Sequence, residues 1–349
     1  MELVLGHDVC FGWPLLEGQR PKGIMTTQVT LEPYAVMEAG EGDTEVVAFN
    51  VGPDFRPYVV AACDPLDYHR IGAGGASFSI VTPGRPQKYR VISIEGPCVA
   101  LDLSVGPVLF NVHDVQPLGD GILLACARSY RRGPEDFDLN AHVYDYNGNL
   151  LRSFLLGDGI ESIQASATGT IWAGYFDEGV FGNFGWKQPV GASGLVAWSS
   201  EGKRLYEFES PSGLDSIADC YALNVASETV TWCYYYTEFA LVRVCDMRAD
   251  AYWRVPISGS HLFAISGDYV LFGGGYHDAD TYSLFQLQSD NKMRLCRRFE
   301  LRIESGTPQR RIGRGDAIWL QSGSSIYRFS ITDALSIAGI ERPGSGRVS

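Results

Sequence analysis

The sequence predicts an all-β chain, and two observations predict it. A unit recurs along most of the 349 residues: a strand, a Gly/Asp turn, an apolar strand ending in aromatics, an acidic loop, a third strand and often a fourth. The clearest copies are VQPLGDGILLACARSY…AHVYDYNGNLLRSF, IQASATGTIWAGYFDEG…GLVAWSSEGKRLYEF and YALNVASETVTWCYYYTEFALVRVCDMRADAYWRV. FAISGDYVLFGGGYHDADTYSLFQL…RRFEL and RIGRGDAIWLQSGSSIYRFSI are weaker ones. Glycine is frequent at 40 residues and aromatics reach 12%, so Gly-rich turns alternate with aromatic and β-branched strands. A unit of about 40–50 residues holding four short strands reads as a propeller blade. The expectation is one six-bladed β-propeller of four-stranded antiparallel blades, with seven or five blades as alternatives.

Residues 1–43 read as an N-terminal extension carrying one strand, in VTLEPYAVM. From Thr44 the strands become dense, and VVAFNV, YVVAACD, ASFSIVT and KYRVISI make a first blade near 44–95. Pro97–Asn111 is strand-like and would either close that blade or open the next. The second blade is near 113–156, with an NGN hairpin turn. The third, 160–209, contains the insertion VFGNFGWKQPVGASG. Its Gly182, Gly185 and Gly191 predict a mobile flap, because a long loop in a compact repeat tends to carry function. The fourth and fifth blades are 217–257 and 260–303. The sixth, 307–332, shows three strands, and an N-terminal strand at Thr27–Leu31 is expected to fill the gap and close the ring. The propeller thus spans 44–333, and residues 334–349, ending GIERPGSGRVS, have the composition of a disordered tail.

The formal charge is −13 and the isoelectric point about 4.9. Such a surface repels nucleic acid and anionic membranes and suits a basic partner, besides keeping the chain soluble. The eight cysteines form no CxxC pair and several lie in apolar strands, so free buried thiols in a reducing compartment are expected. The first residues, MELVLGHDVCFGWP, lack the features of a secretory signal, and no run of about 18 apolar residues occurs. The reading is a cytoplasmic protein. No GxSxG elbow, P-loop or strand–GxGxxG–helix is present, and Gly72–Gly75 reads as a hairpin turn. Arg310, Arg311 and Arg314 cluster in an acidic chain, where internal ion pairing is expected.

The periodicity over 44–333 resembles that of WD40-like and TolB-like propellers. WAGYFDEGVFG and DCYALNV are similar to an uncharacterised bacterial six-bladed propeller group, with which no activity comes. The family signatures are absent: there is no GH…WD pair, and FGGG at Phe272–Gly275 is a kelch-like double glycine in one blade only.

Two rings of residues follow from the blade plan. Inner strands line the channel, and ligand sites in propellers often lie at its mouth. Counting two residues back from the first apolar position of each inner strand gives His113, Glu161, Asp219 and His261, with Gln309 at the same place in the sixth unit. Alternation would put His113 with Val115, Glu161 with Ile163, Asp219 with Tyr221 and His261 with Phe263 on one face. Two imidazoles and two carboxylates converging there would suit a single divalent metal ion, whereas the bland alternative is water-lined polar capping of loops. No cofactor is otherwise implied.

The second ring is the loop after each second strand: SYRRGPEDFD, YFDEGVFGNFGW, YYYTEF and YHDADTY. Tyr175, Phe176, Asp177, Glu178, Trp186, Tyr235, Glu238, Tyr276 and Asp278 are the candidate partner-binding set, with Tyr130, Glu135, Asp136, Phe184 and Asp280 around them. An exposed plate of rings and carboxylates suits a basic protein, the alternative being rings packed between blades. Two functional readings stand. One is a partner-binding propeller with an acidic, aromatic face. The other is a metal-dependent hydrolase, lactonase or lyase with its ion at the mouth, in which Asp177 or Glu178 would serve as general base.

Overall fold

The computed structural model of the chain describes residues 26–38, 40, 45–71, 77–276, 278–304 and 306–341. Residues 1–25 of the expected extension, the Gly72–Gly75 turn and residues 342–349 of the expected tail lie outside the described residues.

The chain is a six-bladed β-propeller. Strands β1 (Thr26–Leu31) and β2 (Ala35–Val36) come first. Blade 1 is β3 (Glu45–Val51), β4 (Pro57–Ala62), β7 (Gln87–Glu95) and β8 (Cys98–Val108), interrupted by a hairpin of β5 (His69–Ile71) and β6 (Ser77–Ser79). Blade 2 is β9 (Asp114–Leu118), β10 (Gly121–Ala125), β11 (Ala141–Tyr144) and β12 (Leu150–Phe154). Blade 3 is β13 (Ile160–Ala165), β14 (Ile171–Tyr175), β15 (Leu195–Trp198) and β16 (Arg204–Glu207), with helix α1 (Asp177–Phe181) in its insertion. Blade 4 is β17 (Asp219–Val225), β18 (Val230–Tyr236), β19 (Ala240–Cys245) and β20 (Arg248–Arg254). Blade 5 is β21 (Phe263–Ser266), β22 (Tyr269–Phe272), β23 (Thr281–Leu287) and β24 (Met293–Ile303). Blade 6 is β25 (Arg310–Arg314), β26 (Ala317–Ser322) and β27 (Ser325–Ser330), followed by helix α2 (Ile331–Ala338).

Apolar side chains fill six clusters, one in each gap between neighbouring blades. Every blade is therefore buried on both faces, which is why second strands such as GILLA and IWAGY are continuous apolar runs rather than alternating ones.

Four details differ from the sequence expectation. The ring is closed by an N-terminal strand, but it is β2, pairing antiparallel with β27. Ala35 and Met37 bury against Trp319 and Val51 in the seam between blades 6 and 1. The expected closing segment, Thr27–Leu31, belongs to β1 and lies parallel to β24 on the outer edge of blade 5. Its alternating TTQVTL pattern fits a strand with one wet face. In blade 1, Ser77–Ser79 of the ASFSIVT segment pairs with β5 outside the sheet, and β8 takes the fourth place. Finally, the expected tail from residue 334 begins inside helix α2. A Ser330–Asp333 capping box starts that helix, left-handed Gly339 ends it, and Ile331, Ala334 and Leu335 are buried. Among the described residues the cysteines are free thiols, with Cys126, Cys220 and Cys233 buried, and no helix is long and apolar enough to cross a membrane.

Candidate functional site: the channel mouth

Side-chain amides cross the channel and tie its inner strands together. The Asn50 side chain donates to Asp114 Oδ1 (2.7 Å) and the Ile163 carbonyl (2.8 Å). Gln116 accepts from the Ala165 amide at 2.9 Å. Gln164 donates to the Leu223 and Gly313 carbonyls and accepts from the Val225 amide and Arg314 Nη1. Asn224 donates to the Phe263 and Gly315 carbonyls and accepts from the Gly315 amide. These side chains are buried near the ends of their inner strands and tie the strands to one another. Among the described residues these amides bar the channel across its axis, and the starts of the inner strands lie on one side of the bar.

Where the inner strands begin, the structure brings together three of the four predicted ligands. Strands β13 and β17 each carry a bulge, the register shifting between Ile160 and Ser162 and between Cys220 and Ala222. The extra residues are Glu161 and Tyr221, and a bulge re-aims such a side chain away from strict alternation. The predicted pairing of Glu161 with Ile163 on one face accordingly fails: Ile163 is buried between blades 2 and 3. Glu161 Oε1 lies 3.2 Å from Nδ1 of His261. The His261 ring stacks on Tyr221 with centroids 4.9 Å apart. The Tyr221 hydroxyl is hydrogen-bonded to that of Tyr276, and Tyr221 also packs on Tyr234, Tyr236 and Phe239. Tyr236 and Tyr276 are exposed at 42% and 57%, so this aromatic rim faces solvent.

Asp219 opens β17 beside this group. Its Oδ1 is buried and makes no hydrogen bond. Burial raises its carboxyl to about 8, helped by Glu161 and Asp177 and opposed by His261. Burial would lower His261, but the hydrogen bond and charge of Glu161, with Asp219 behind it, outweigh that and raise it. Between about pH 4 and pH 8 the folded chain thus holds a proton on Asp219 that the unfolded chain releases, so this group makes stability fall as pH rises. Replacing Asp219 with Asn is expected to raise the melting temperature at pH 9 and to change it little at pH 5. A uniform shift at both pH values would contradict a buried, hard-to-ionise carboxyl.

His113 does not join them. Its ring lies 5.1 Å from that of Tyr68, its Nδ1 accepts from the Ala127 amide, and burial lowers it to about 4. Gln309 turns to the Gly323 amide instead of the channel. In both blades the next residue takes the inward place. Asp114 accepts from Asn50, the Val115 amide and the Ile163 amide, and burial raises its carboxyl to about 7. Arg310 donates Nη2 to the Val46 carbonyl at 2.8 Å. Strands β9 and β25 pair without a bulge, so counting from the first apolar residue slips by one relative to β13 and β17. The four-ligand metal set is thereby corrected. Among the described residues no group of three or more His, Cys, Asp or Glu is placed to hold a metal ion.

The second ring also needs correction. Tyr175, Phe176, Trp186 and Tyr235 are buried, not an exposed plate. The Tyr175 hydroxyl donates to the Leu156 carbonyl, Tyr235 to the Asp215 carbonyl at 3.1 Å, and Trp186 Nε1 to the Ser129 carbonyl at 2.7 Å. Glu178 and Glu238 are engaged by Arg128 and Arg254. Asp278 accepts from the Thr281 hydroxyl. Only Asp177, Asp278 and Tyr276 of that set are exposed. The predicted flap is clamped to blade 2. Arg128 grips both Asp158 and Glu178, and its guanidinium stacks 4.0 Å from the Phe184 ring centroid. A Cβ at Gly185 would meet the Arg131 carbonyl at 2.0 Å and one at Gly191 the Tyr175 ring at 2.4 Å, so these glycines permit close packing. Of the basic cluster, only Arg311 has a carboxylate within salt-bridge distance among the described residues, Asp280 at 3.4 Å, while Arg314 is spent on the amide plug.

A family model described as the YxzG family matches residues 191–329, from the third strand of blade 3 to the end of blade 6. No curated protein matches the chain. Solved structures similar to it include Kluyveromyces lactis Hsv2, at 9% identity and a TM-score of 0.44, over 86% of this chain and 78% of that one. The WD40 propeller domain of Doa1 matches at 9% identity and 0.44, over 86% and 97%. A catalytically inactive virginiamycin B lyase from Staphylococcus aureus, with quinupristin, matches at 12% and 0.41, over 85% and 98%. At such scores the site itself has to carry the functional reading.

Proposed function

We propose that this propeller is a binding module that receives a basic group of a partner protein at the mouth of its channel. The observation that carries this reading is the buried, unpartnered Oδ1 of Asp219, set beside Glu161 and under exposed tyrosines. Asp219 holds its proton for want of a positive partner, and a cation with N–H groups would release that proton, pair with the resulting carboxylate and find the faces of Tyr236 and Tyr276. The overall charge of −13 and the exposed Asp177 nearby would steer such a partner toward the mouth.

The test is fluorescence anisotropy with a labelled Lys/Arg-rich peptide and its Glu-rich counterpart. Only the basic peptide is expected to bind, with an association rate that falls as salt is added. Asp219→Asn and Glu161→Gln should each weaken it about tenfold or more, in line with the ~1.5–3 kcal/mol of a hydrogen bond to a charged group. Unchanged affinity in the double variant would overturn the reading.

A further inference from the structure

The acidic pole of the mouth has a basic counterpart across the ring. Glu161, Asp219 and His261 belong to blades 3, 4 and 5. Arg310 heads the inner strand of blade 6, and the groups that act on it electrostatically are Glu45, Tyr68 and Asp114, of blades 1 and 2. It is half-buried, and burial pulls its guanidinium below the usual arginine range. Yet its hydrogen bond is to the Val46 carbonyl, and among the described residues no carboxylate lies within salt-bridge distance of it. Most of its N–H donors are thus left for something else. A half-buried arginine without an ion pair at this rim keeps donors that an incoming anion can reach.

Two further facts narrow the ligand. The amide plug bars the channel, so a polypeptide cannot thread it and must enter by an end. The two poles ask for a cation and an anion on one ligand. We propose that the mouth recognises a polypeptide that ends in lysine or arginine, its side-chain cation on Asp219 and Glu161 and its terminal carboxylate on Arg310. This deepens the basic-partner reading and rests on it for the cationic half. Arg310 is the specificity-determining residue: it separates a chain end from an internal basic residue.

The experiment is calorimetry on the full chain with ω-amino acids of increasing length, γ-aminobutyrate, ε-aminocaproate and ω-aminocaprylate, against hexylammonium and hexanoate. At least one ω-amino acid should bind about tenfold tighter than either one-charge probe, the worth of one added charged contact. A basic peptide with a free C-terminal Lys should likewise exceed its C-terminal amide about tenfold. Arg310→Met should erase both differences while leaving hexylammonium binding as it was, and Arg310→Lys should keep part of them; a thermal melt of each confirms folding. Equal affinity for ω-amino acid and hexylammonium, or an advantage that survives Arg310→Met, would overturn the inference and leave the basic-partner reading standing. If neither hexylammonium nor the basic peptide binds, the parent reading falls as well.

Discussion

Replacing Arg128 with alanine is expected to cost about 3–5 kcal/mol at pH 8, the range for breaking a buried ion pair from one side. Arg128 is 7% exposed and Asp158 2%. Two parallel bonds of 2.9 Å join them, a third goes from Arg128 Nη1 to Glu178 at 2.5 Å, and the Ser129 amide adds 2.8 Å to Asp158. Phe176 and Phe184 flank the guanidinium, at 5.3 and 4.0 Å to their ring centroids. Removing it strands a carboxylate that cannot reach water. Burial already outweighs Arg128 and raises the Asp158 carboxyl to about 6. Without Arg128 it should rise further, so the variant can escape part of its loss by taking up a proton. The loss measured by urea denaturation should therefore be smaller at pH 5 than at pH 8. The double variant Arg128→Met, Asp158→Leu removes both charges and should be milder than Arg128→Ala. A loss below about 1 kcal/mol for Arg128→Ala at pH 8 would show that the clamp contributes little.

The blade plan was legible because the second strands are long apolar runs followed by acidic loops, and every gap between blades needs such a strand. The edges were harder to read. Ala35–Val36 is too short to show a period, and Thr27–Leu31 shows a better one while serving a different blade. The start of helix α2 was visible in Ser330-x-x-Asp333, but the Gly-rich residues after it drew attention to a tail. At the mouth, Glu161, Asp219 and His261 were found because polar residues at loop–strand junctions stand out. Counting points to His113 and Gln309 in place of Asp114 and Arg310 because a bulge is invisible to it: of the inner strands counted, β13 and β17 have one and β9, β21 and β25 do not. Tyr175 ends β14 and Tyr235 is next to last in β18, strands buried on both faces, where alternation carries no sign of which ring meets water. The plug has a signal in the sequence. FNV, VQP, IQA and LNV each put one amide in the apolar inner strand of blades 1 to 4. An amide recurring there has no apolar reason to exist, and four of them together indicate hydrogen bonds across the channel axis.

Gln164→Leu is the second large loss to expect, about 3–5 kcal/mol. The substitution keeps the side chain's bulk and removes all its polar contacts. Two carbonyls, Leu223 and Gly313, lose their donor, and the Val225 amide and Arg314 Nη1 lose their acceptor. Each buried group left unpaired costs roughly 1–3 kcal/mol, and water entering the plug would repair some of it. Arg314 suffers most: it is 2% exposed, its Nε already lacks a partner, and the Ala165 carbonyl is its other contact. Gln164→Glu separates the two kinds of contact. It keeps acceptors for Val225 and Arg314 and gains their charge complementarity, yet cannot donate to the two carbonyls while ionised, so its loss should fall between wild type and Gln164→Leu. Urea denaturation midpoints decide the order. If both variants lose equally, the acceptor role toward Arg314 is irrelevant, and the plug holds the ring by its donations alone. Because the plug lies further along the inner strands than Glu161 and Asp219, the folded fraction of either variant should still bind the basic peptide. Loss of that binding would mean that plug and mouth are coupled through the inner strands, with the arginine of the plug taking part in setting the mouth.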